Sequence, residues 1–239
     1  MIGCDCATCG STDPHDKRWR TSVLVETDDD QSLLIDTGPD LRAQALAFDV
    51  RQVDAILFTH GHSDHIFGLD DVRRFNAIQR RSMPCYGDPM TLRDIRRTFA
   101  YVFDSSTPRG GGLPQLDLYE VAGTFCFGRQ EIIPVPIFHG DRAILGYRLG
   151  GFAYLTDCSR IPESSWPLLE GLDLLVLDAL RDARHPTHFS LTEAVEAARR
   201  IAPRRTCFTH MCHDLAHAAT CARLPEGVEL AYDGLMVEV

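Results

Sequence analysis

Four residues with metal-binding side chains lie within six positions, in the sequence His60-Gly61-His62-Ser63-Asp64-His65. They directly follow a mostly apolar run, residues 53–59, which predicts a strand. Alternate residues of an extended chain point the same way, so His60 and His62 can face one ion. Asp64 and His65 then fall on the turn into the next helix. Imidazole and carboxylate ligands together suit zinc, manganese or iron, so a metal site is favoured over a polar turn without a metal.

Three further metal-competent residues stand in the same kind of place. His139, Asp157 and His210 each follow an apolar run that predicts a strand, at 132–138, 152–156 and 206–209. One such residue would more often be a polar group at a sheet edge. Three of them beside the first cluster predict that all seven side chains converge on one rim of the sheets.

A compact thiolate cluster, Cys4-x-Cys6-x-x-Cys9, lies near the N-terminus. Three thiolates require a fourth ligand for tetrahedral zinc, and His213 is the predicted one, with Cys212 as the competing choice. The alternative is three free cysteines on a mobile segment. A Cys₃His site would be closed and structural, and it would pin the N-terminal segment to the loop that carries its histidine.

The elements that must position these residues alternate along the chain. A hairpin is predicted from strands 21–27 and 32–36 around an acidic turn. Helices are predicted at 39–48, 68–80, 91–101, 162–170 and 190–201, the last with Ser190 and Glu193 as a capping box. Further strands are predicted at 118–121, 124–128, 131–137, 145–149, 152–156, 174–178, 206–209, 228–232 and 235–239. Many strands with helices at intervals predict two mixed sheets covered by helices on their outer faces.

The motif at 60–65, followed by His139, Asp157 and His210, resembles the metallo-β-lactamase superfamily over nearly the whole chain. The resemblance implies an α/β, four-layer αββα sandwich forming a single domain over residues 1–239, with two metals at one edge of the sheets. Carried over by position, the first metal is held by His60, His62 and His139. The second is held by Asp64, His65 and His210, and Asp157 bridges the two.

The cysteine cluster together with His213 is similar to the PhnP-type branch of that superfamily, which includes a phosphoribosyl cyclic phosphodiesterase and has a core similar to ribonuclease Z. Members of this branch carry a glycine- and serine-rich strand before the cysteines, whereas this chain starts almost at Cys4. The first strand is therefore expected to be missing. The branch also places a catalytic histidine before a helix, where His188 stands. His188 is predicted to protonate the leaving oxygen or hold the phosphate, with His185 as the fallback and a surface capping histidine as the alternative.

The composition narrows the classes of partner. The net charge is −10, and no basic arm for nucleic acid is evident, so nucleic acid is not expected as the main partner. The nine cysteines are odd in number, which argues against a disulfide framework. The sequence has no apolar run that could cross a membrane and no secretory signal, so the cytoplasm is the expected location.

The resulting prediction is a metal-dependent phosphodiesterase acting on a small substrate, such as a cyclic phosphate of a sugar or nucleotide. Two zinc or manganese ions are expected to hold a bridging hydroxide, and Asp64 to orient the site and accept a proton from the bridging water. A structural zinc and a homodimer complete the expectation. The aspartate bridge, where β-lactamases have cysteine, favours phosphodiesters over β-lactams. The alternatives are a tRNA 3′-processing endonuclease, a lactonase and a non-catalytic metal- or cofactor-binding protein. The glycine-rich segment within 98–115 predicts a loop in which Arg109 could meet a phosphate, with a surface loop carrying a solvated arginine as the alternative.

Overall fold

The computed structural model describes residues 1–108, 110 and 112–239. Arg109, the candidate phosphate contact in the glycine-rich loop, lies outside the described residues. By its internal contacts the chain divides into two compact units. We call Arg20–Gln130 the central unit, and Met1–Trp19 together with Glu131–Val239 the terminal unit.

The strands of the described residues contain between three and ten residues. In chain order they are Val23–Glu26 (β1), Ser32–Ile35 (β2), Ala55–Leu57 (β3), Met83–Gly87 (β4), Leu116–Glu120 (β5), Phe125–Phe127 (β6), Gln130–His139 (β7), Arg142–Leu149 (β8), Phe152–Leu155 (β9), Leu174–Asp178 (β10), Arg205–Thr209 (β11) and Val228–Leu230 (β12).

The α-helices are Ala7–Gly10 (α1), Leu41–Ala47 (α2), Ser63–Ile66 (α3), Arg73–Gln79 (α4), Pro89–Thr98 (α5), Ala100–Phe103 (α6), Leu191–Ile201 (α7) and His217–Cys221 (α8). Short 3₁₀ helices cover Pro14–Asp16, Leu69–Val72 and Glu163–Leu169. The capping box predicted for α7 is present, since Ser190 and Glu193 each bond the other's backbone N–H. This reciprocal bonding fixes where the longest helix begins.

The central unit is built on a sheet with the order β1-β2-β3-β4-β5. β1 and β2 form the predicted antiparallel hairpin, and the pairs from β2 to β5 are parallel. Parallel strands are covered on their faces and are therefore apolar along their whole length, as β3 is. Helices α2, α4 and α5 supply Leu41, Phe75 and Ile95 to one core cluster beneath this sheet.

The terminal unit contains strands β7 to β12 in the order β12-β11-β10-β9-β8-β7. Strands β9 to β12 are parallel, whereas β7, β8 and β9 form an antiparallel meander. β10 is buried at every position, and α7 packs Leu191, Ala194 and Ile201 into the same core cluster. Both sheets are mixed and flanked by helices, which confirms the predicted fold class.

Two strand predictions differ from the structure. The strand β4 was not predicted, because Pro84 in its middle removes a backbone donor and reads as a break. The strand predicted at 235–239 is wrong, since the chain after β12 forms no further strand. Within the described part of the chain, no helix has the length and apolar character needed to cross a bilayer.

Candidate metal centre

The histidine motif of the central unit begins where β3 ends. Phe58, Thr59 and His60 continue this buried strand with no exposed surface. The chain then turns at His62, the residue before α3. The ring centroid of His60 lies 4.5 Å from that of His62 and 4.2 Å from that of His65. Three imidazoles are therefore packed together at the carboxyl end of a central strand.

Asp64 lies on the first turn of α3, beside this group of rings. Its Oδ2 atom is 3.8 Å from Nε2 of His65. His65 is fully buried, whereas the Asp64 side chain keeps 29% of its surface exposed. The Asp64 carboxylate therefore lies at the rim of the cluster, close to Nε2 of His65 and partly exposed to solvent.

Asp36, a buried carboxylate that is not among the predicted site residues, bonds to His65 of the motif and to Thr59 just before it. Its Oδ2 atom lies 2.7 Å from Nδ1 of His65 and accepts a 2.7 Å hydrogen bond from the Thr59 hydroxyl. Its Oδ1 atom accepts a 2.9 Å bond from the Thr59 backbone N–H. A carboxylate on Nδ1 keeps the proton on that nitrogen and leaves the Nε2 lone pair for a metal. The signal that was available in the sequence is an aspartate directly after an apolar strand.

We expect Asp36→Asn to weaken metal binding about 10- to 100-fold, because a neutral amide raises the basicity of His65 less than a carboxylate does and can also turn its NH₂ group toward Nδ1. Competition with a chelator for bound zinc measures the change. Asp49→Asn is a matched control, since Asp49 also has a left-handed backbone, with φ of 52° against 63° for Asp36, but pairs with Arg51 on the surface. Equal affinities of the two variants would contradict the role assigned to Asp36.

The glycine inside the motif is required by a close approach of helix α5. A Cβ atom on Gly61 would lie 2.7 Å from Cβ of Asp94 and 2.8 Å from its Oδ2. Asp88 anchors the start of this helix, accepting a 2.8 Å bond from the backbone N–H of Met90. The motif is thus packed against a fixed helix, and no larger residue fits at position 61 without a shift.

The terminal unit brings together a second set of metal-competent side chains. Asp157 follows β9 and His210 follows β11, and Oδ1 of Asp157 is 3.3 Å from Nε2 of His210. Nε2 of His188 is 4.0 Å from the other oxygen of Asp157. The donor atoms of these three residues all lie within 4.8 Å of one another. The His139 ring packs against the His188 ring with centroids 4.7 Å apart.

His188 is held by a second buried carboxylate that the sequence prediction did not include. Oδ2 of Asp178, the last residue of β10, lies 3.0 Å from Nδ1 of His188 and accepts the backbone N–H of Phe189 at 3.3 Å. Asp178 has no exposed surface, and His188 retains 8%. A surface capping histidine would be exposed, so this side chain is instead a buried, oriented imidazole.

His139 is held in the tautomer that a metal ligand requires. Its Nδ1 donates a 2.7 Å hydrogen bond to the carbonyl oxygen of Thr187, so the lone pair lies on Nε2. Burial lowers the pKa of His139, against the smaller opposing effect of Asp157. The ring is therefore favoured in its neutral form, the form that binds a cation.

Three of the site residues adopt a left-handed backbone that non-glycine residues seldom use. The φ angles are 63° at Asp36, 53° at Asp157 and 58° at His210. Such conformations cost about 1–3 kcal/mol each and persist where the surroundings fix them, most often at functional sites. Each of the three follows the end of a buried strand, where this turn directs the side chain along the rim.

The donor set fits divalent metal ions of the zinc and manganese kind. In both units an imidazole is oriented through Nδ1 by a buried carboxylate or a carbonyl, which is the arrangement found behind metal-bound histidines. Imidazole and carboxylate donors together are the ligands these ions prefer. The chain therefore carries a His/Asp metal-binding cluster. The division of the seven ligands between two metals, with Asp157 as the bridge, stays a prediction.

The four residues predicted for a structural zinc come together within the terminal unit. Nδ1 of His213 lies 3.4 Å from Sγ of Cys4 and 3.3 Å from Sγ of Cys6, and with Cys9 the four donors lie within 4.8 Å of one another. Tetrahedral zinc, about 2.3 Å from sulfur and 2.0 Å from nitrogen, places such ligands about 3.5 Å apart. The group could therefore bind a structural zinc with little rearrangement.

The electrostatics of this cysteine group also suit a metal. The Cys9 backbone N–H and then the His213 ring lower the pKa of the Cys6 thiol to about 6. A thiolate is the form that binds zinc. Cys212, the competing fourth ligand, instead accepts a 3.4 Å hydrogen bond from the Asp214 backbone N–H and is not part of the group of four.

Comparison with known proteins agrees with this fold and cluster. Residues 31–211 match the family described as "Beta-lactamase superfamily domain". A crystal structure described as a new diphosphatase from the PhnP family is 45% identical, with a TM-score of 0.92, and the match covers 100% of this chain and 91% of the other. The chain belongs to the β-lactamase superfamily. Within it, the chain belongs to the PhnP family.

Two other similarities differ in what they show. An octanoyltransferase of Porphyromonas gingivalis is 36% identical over 98% of this chain and 48% of its own length. The short form of human tRNase Z has a TM-score of 0.71 at 19% identity, covering 94% of each chain, which shows the shared fold. This chain spans about half the length of the curated relatives it matches first, 48% and 47%.

Proposed function

We propose that the chain is a metal-dependent hydrolase that cleaves a small phosphodiester, with a cyclic sugar or nucleotide phosphate as one such substrate. The observation that carries the proposal is the pairing, in the terminal unit, of Asp157 and His210 with His188, an imidazole oriented by Asp178. Two of these side chains are predicted metal ligands, and the third stands beside them with its Nε2 facing the bridge residue. This combination supplies a binding site for an anionic centre and a proton donor next to it.

The roles of the protein groups follow from how each is held. Divalent metals at such a cluster supply an activated water and offset negative charge on the phosphate. The chain's seven ligands would hold them: His60, His62, Asp64, His65, His139, Asp157 and His210. Asp64, at the rim, would accept a proton from the attacking water. With both ring nitrogens protonated, His188 would donate its Nε2 proton to the leaving oxygen, since the contact of Nδ1 with Asp178 holds Nε2 on the side of Asp157.

A diphosphate bond is the second candidate for the bond that is cleaved. The PhnP-family structure that is 45% identical over the whole chain is described as a diphosphatase. The same residues would serve, since both reactions displace an oxygen from phosphorus next to metals. The octanoyltransferase matches over 48% of its length, so its named activity is not proposed for this chain.

The remaining alternatives are less well supported. The net charge of −10 argues against a long RNA as substrate, and thus against tRNA 3′ processing. A lactonase does not cleave a phosphate ester, so it would not need an oriented histidine to protonate the oxygen that leaves phosphorus. A protein without catalytic activity would not need the oriented His188 either. We propose the cytoplasm as the location and a homodimer as the assembly.

The test is turnover by protein loaded with manganese or with zinc. The substrates are bis-p-nitrophenyl phosphate, a 2′,3′-cyclic nucleotide, a cyclic ribose phosphate, a dinucleoside diphosphate, precursor tRNA and a lactone. We expect turnover of the small phosphodiesters or the diphosphate, abolished in His62→Ala. Diphosphate cleavage alone would select the second candidate. The proposal would be overturned if none of the small phosphodiesters and the diphosphate were turned over. It would also be overturned if precursor tRNA or the lactone were turned over faster than these small substrates.

A further inference from the structure

The central unit contains a cavity of about 600 Å³ that shares no residue with the histidine motif. Its volume lies within the range of about 300–1,000 Å³ typical of small-molecule sites. It is bounded by α4, by α6 and by the segment that leads into β5. Its lining comprises Arg73, Arg74, Asn76, Ala77, Ser82, Val102, Phe103, Gly112, Leu113, Pro114, Gln115, Leu116 and Asp117.

This cavity lies at the opposite edge of the central sheet from the histidine motif. β3, β4 and β5 are parallel, with Leu57 paired to Tyr86 and Met83 paired to Leu116. His60 follows the carboxyl end of β3, whereas Ser82 precedes the amino end of β4. A ligand in the cavity would thus be separated from His60 by the length of a strand, and the cavity is a distinct site.

Guanidinium groups gather around the cavity in a chain that is acidic overall. Arg73 and Arg74 line it, and Arg96 stacks over the ring of Phe103 at 4.9 Å from the centroid. Residues 73–97 contain seven arginines against two aspartates, while the whole chain carries −10. The structure places part of this local positive charge around one concave surface.

The two lining arginines are not equally engaged. Arg73 forms an ion pair with Asp70, which holds its guanidinium in one place. Tyr101 donates a hydrogen bond to the same carboxylate, and burial and this bond raise the pKa of Tyr101 to about 12. Arg74 is exposed and has no ion pair with any residue that the structure describes. One guanidinium is therefore fixed and the other is available to an anion.

The segment that leads into β5 is fixed to α4 by hydrogen bonds. Asn76, which is 6% exposed, donates to the Gln115 carbonyl at 3.1 Å and to the Arg81 carbonyl at 2.9 Å. The Gln115 backbone N–H donates to Oδ1 of Asn76 at 2.9 Å. Asp117 accepts a hydrogen bond from the Ser82 hydroxyl and keeps an exposed carboxylate. The cavity thus has a wall held by hydrogen bonds, and the exposed Asp117 is an acceptor among its lining residues.

We propose that this cavity binds a small phosphorylated molecule that also carries hydrogen-bond donors, the class to which nucleotides belong. The guanidinium groups of Arg73 and Arg74 match phosphate oxygens in shape and charge. Asp117 accepts from amino or hydroxyl groups, and Phe103 and Leu113 cover the apolar part. The site is not the proposed catalytic one, and its occupancy does not depend on which reaction the metals serve.

The experiment is calorimetric titration of the zinc-loaded protein at fixed ionic strength. The probes are methylene-ADP, whose carbon bridge resists hydrolysis, methylenediphosphonate and adenosine. Arg74→Gln should weaken one binding site about tenfold for both phosphonate probes, the value of one charge-assisted contact. Asp117→Asn should weaken methylene-ADP alone. Arg42→Gln, an exposed arginine on α2, is the control and should change neither.

The variants Arg74→Gln and His62→Ala distinguish binding in the cavity from binding at the metal cluster. Phosphonate bound at the metal cluster is unchanged in Arg74→Gln and lost in His62→Ala, whereas phosphonate bound in the cavity is weakened about tenfold in Arg74→Gln and unchanged in His62→Ala. Methylene-ADP binding that is unchanged in Arg74→Gln would overturn the proposal. So would a single bound equivalent that disappears in His62→Ala. Adenosine binding as tightly as methylene-ADP would also overturn it, since the phosphate would then contribute nothing.

Discussion

Replacing His188 by alanine is expected to lower kcat about 10²- to 10⁴-fold on a phosphodiester with a poor leaving group, the usual contribution of a positioned proton donor. Metal content should not change, because His188 is outside the predicted ligand set. The structural reason is the contact of its Nδ1 with the buried Asp178 at 3.0 Å, which directs Nε2 toward Asp157 at 4.0 Å. Steady-state turnover with metal analysis of the same sample measures both effects.

The leaving group provides a sharper test of the same substitution. A p-nitrophenolate departs without a proton, so His188→Ala should lose much less on bis-p-nitrophenyl phosphate than on an alkyl ester. His185→Ala is the matched control, because the His185 ring lies 5.1 Å from the His188 ring but its Nδ1 is engaged by Thr187. Equal losses on both substrates would indicate phosphate binding instead of proton donation. A larger loss in His185→Ala would transfer the role to that residue.

The described residues of both units contain the same arrangement of a buried aspartate and a histidine. Asp36 follows β2 and holds His65, and Asp178 ends β10 and holds His188, each carboxylate having no exposed surface. Burying a carboxylate costs free energy unless it is hydrogen-bonded, so each of these aspartates is stabilised in its position next to the histidine. Each unit therefore orients its own imidazole by a carboxylate at the end of a buried strand, before any metal binds.

The sequence was sufficient to predict most elements because their signals are local. β10 is an uninterrupted apolar run, and α7 begins at a capping box, so both were located to within a residue or two. Residues 91–101 were predicted as one helix, but the structure has α5 end at Thr98 and α6 begin at Ala100. The change occurs at Phe99, whose backbone leaves the helical conformation.

The site was only partly predictable because some of its residues act across the sequence. His60, His62, Asp64 and His65 are adjacent in the chain and form a recognisable pattern. Asp36 is separated from His65 by 29 positions and Asp178 from His188 by 10, so no short motif connects them. Their one local signal, an aspartate ending an apolar strand, becomes informative once neighbouring strands are known to be parallel, as β2 and β3 are.

Replacing Cys6 by serine is expected to remove one zinc per chain and leave the metals of the His/Asp cluster in place. Cys6 has the thiol with the lowered pKa, lies 3.3 Å from His213 and caps the start of α1. Serine is a poor zinc ligand, so the remaining Cys₂His set should not retain the ion under dialysis. Metal analysis before and after dialysis measures the loss, with Cys126→Ser, an exposed cysteine of β6, as the control.

The loss of this zinc should destabilise the terminal unit without unfolding it. An ion whose free concentration is about 1,000 times its Kd adds about 4 kcal/mol to the free energy of unfolding. Loss of that contribution corresponds to a fall in Tm of roughly 8–16 °C. The fold should survive because Arg18 holds the same N-terminal segment, donating to the carbonyl oxygens of Cys212 at 3.0 Å and Leu215 at 2.5 Å. His213→Ala should reproduce the loss of zinc, and Cys212→Ser should not. If Cys212→Ser loses the ion and His213→Ala keeps it, the fourth ligand is Cys212. Loss of every metal in Cys6→Ser would show that the structural zinc site and the His/Asp cluster are not independent.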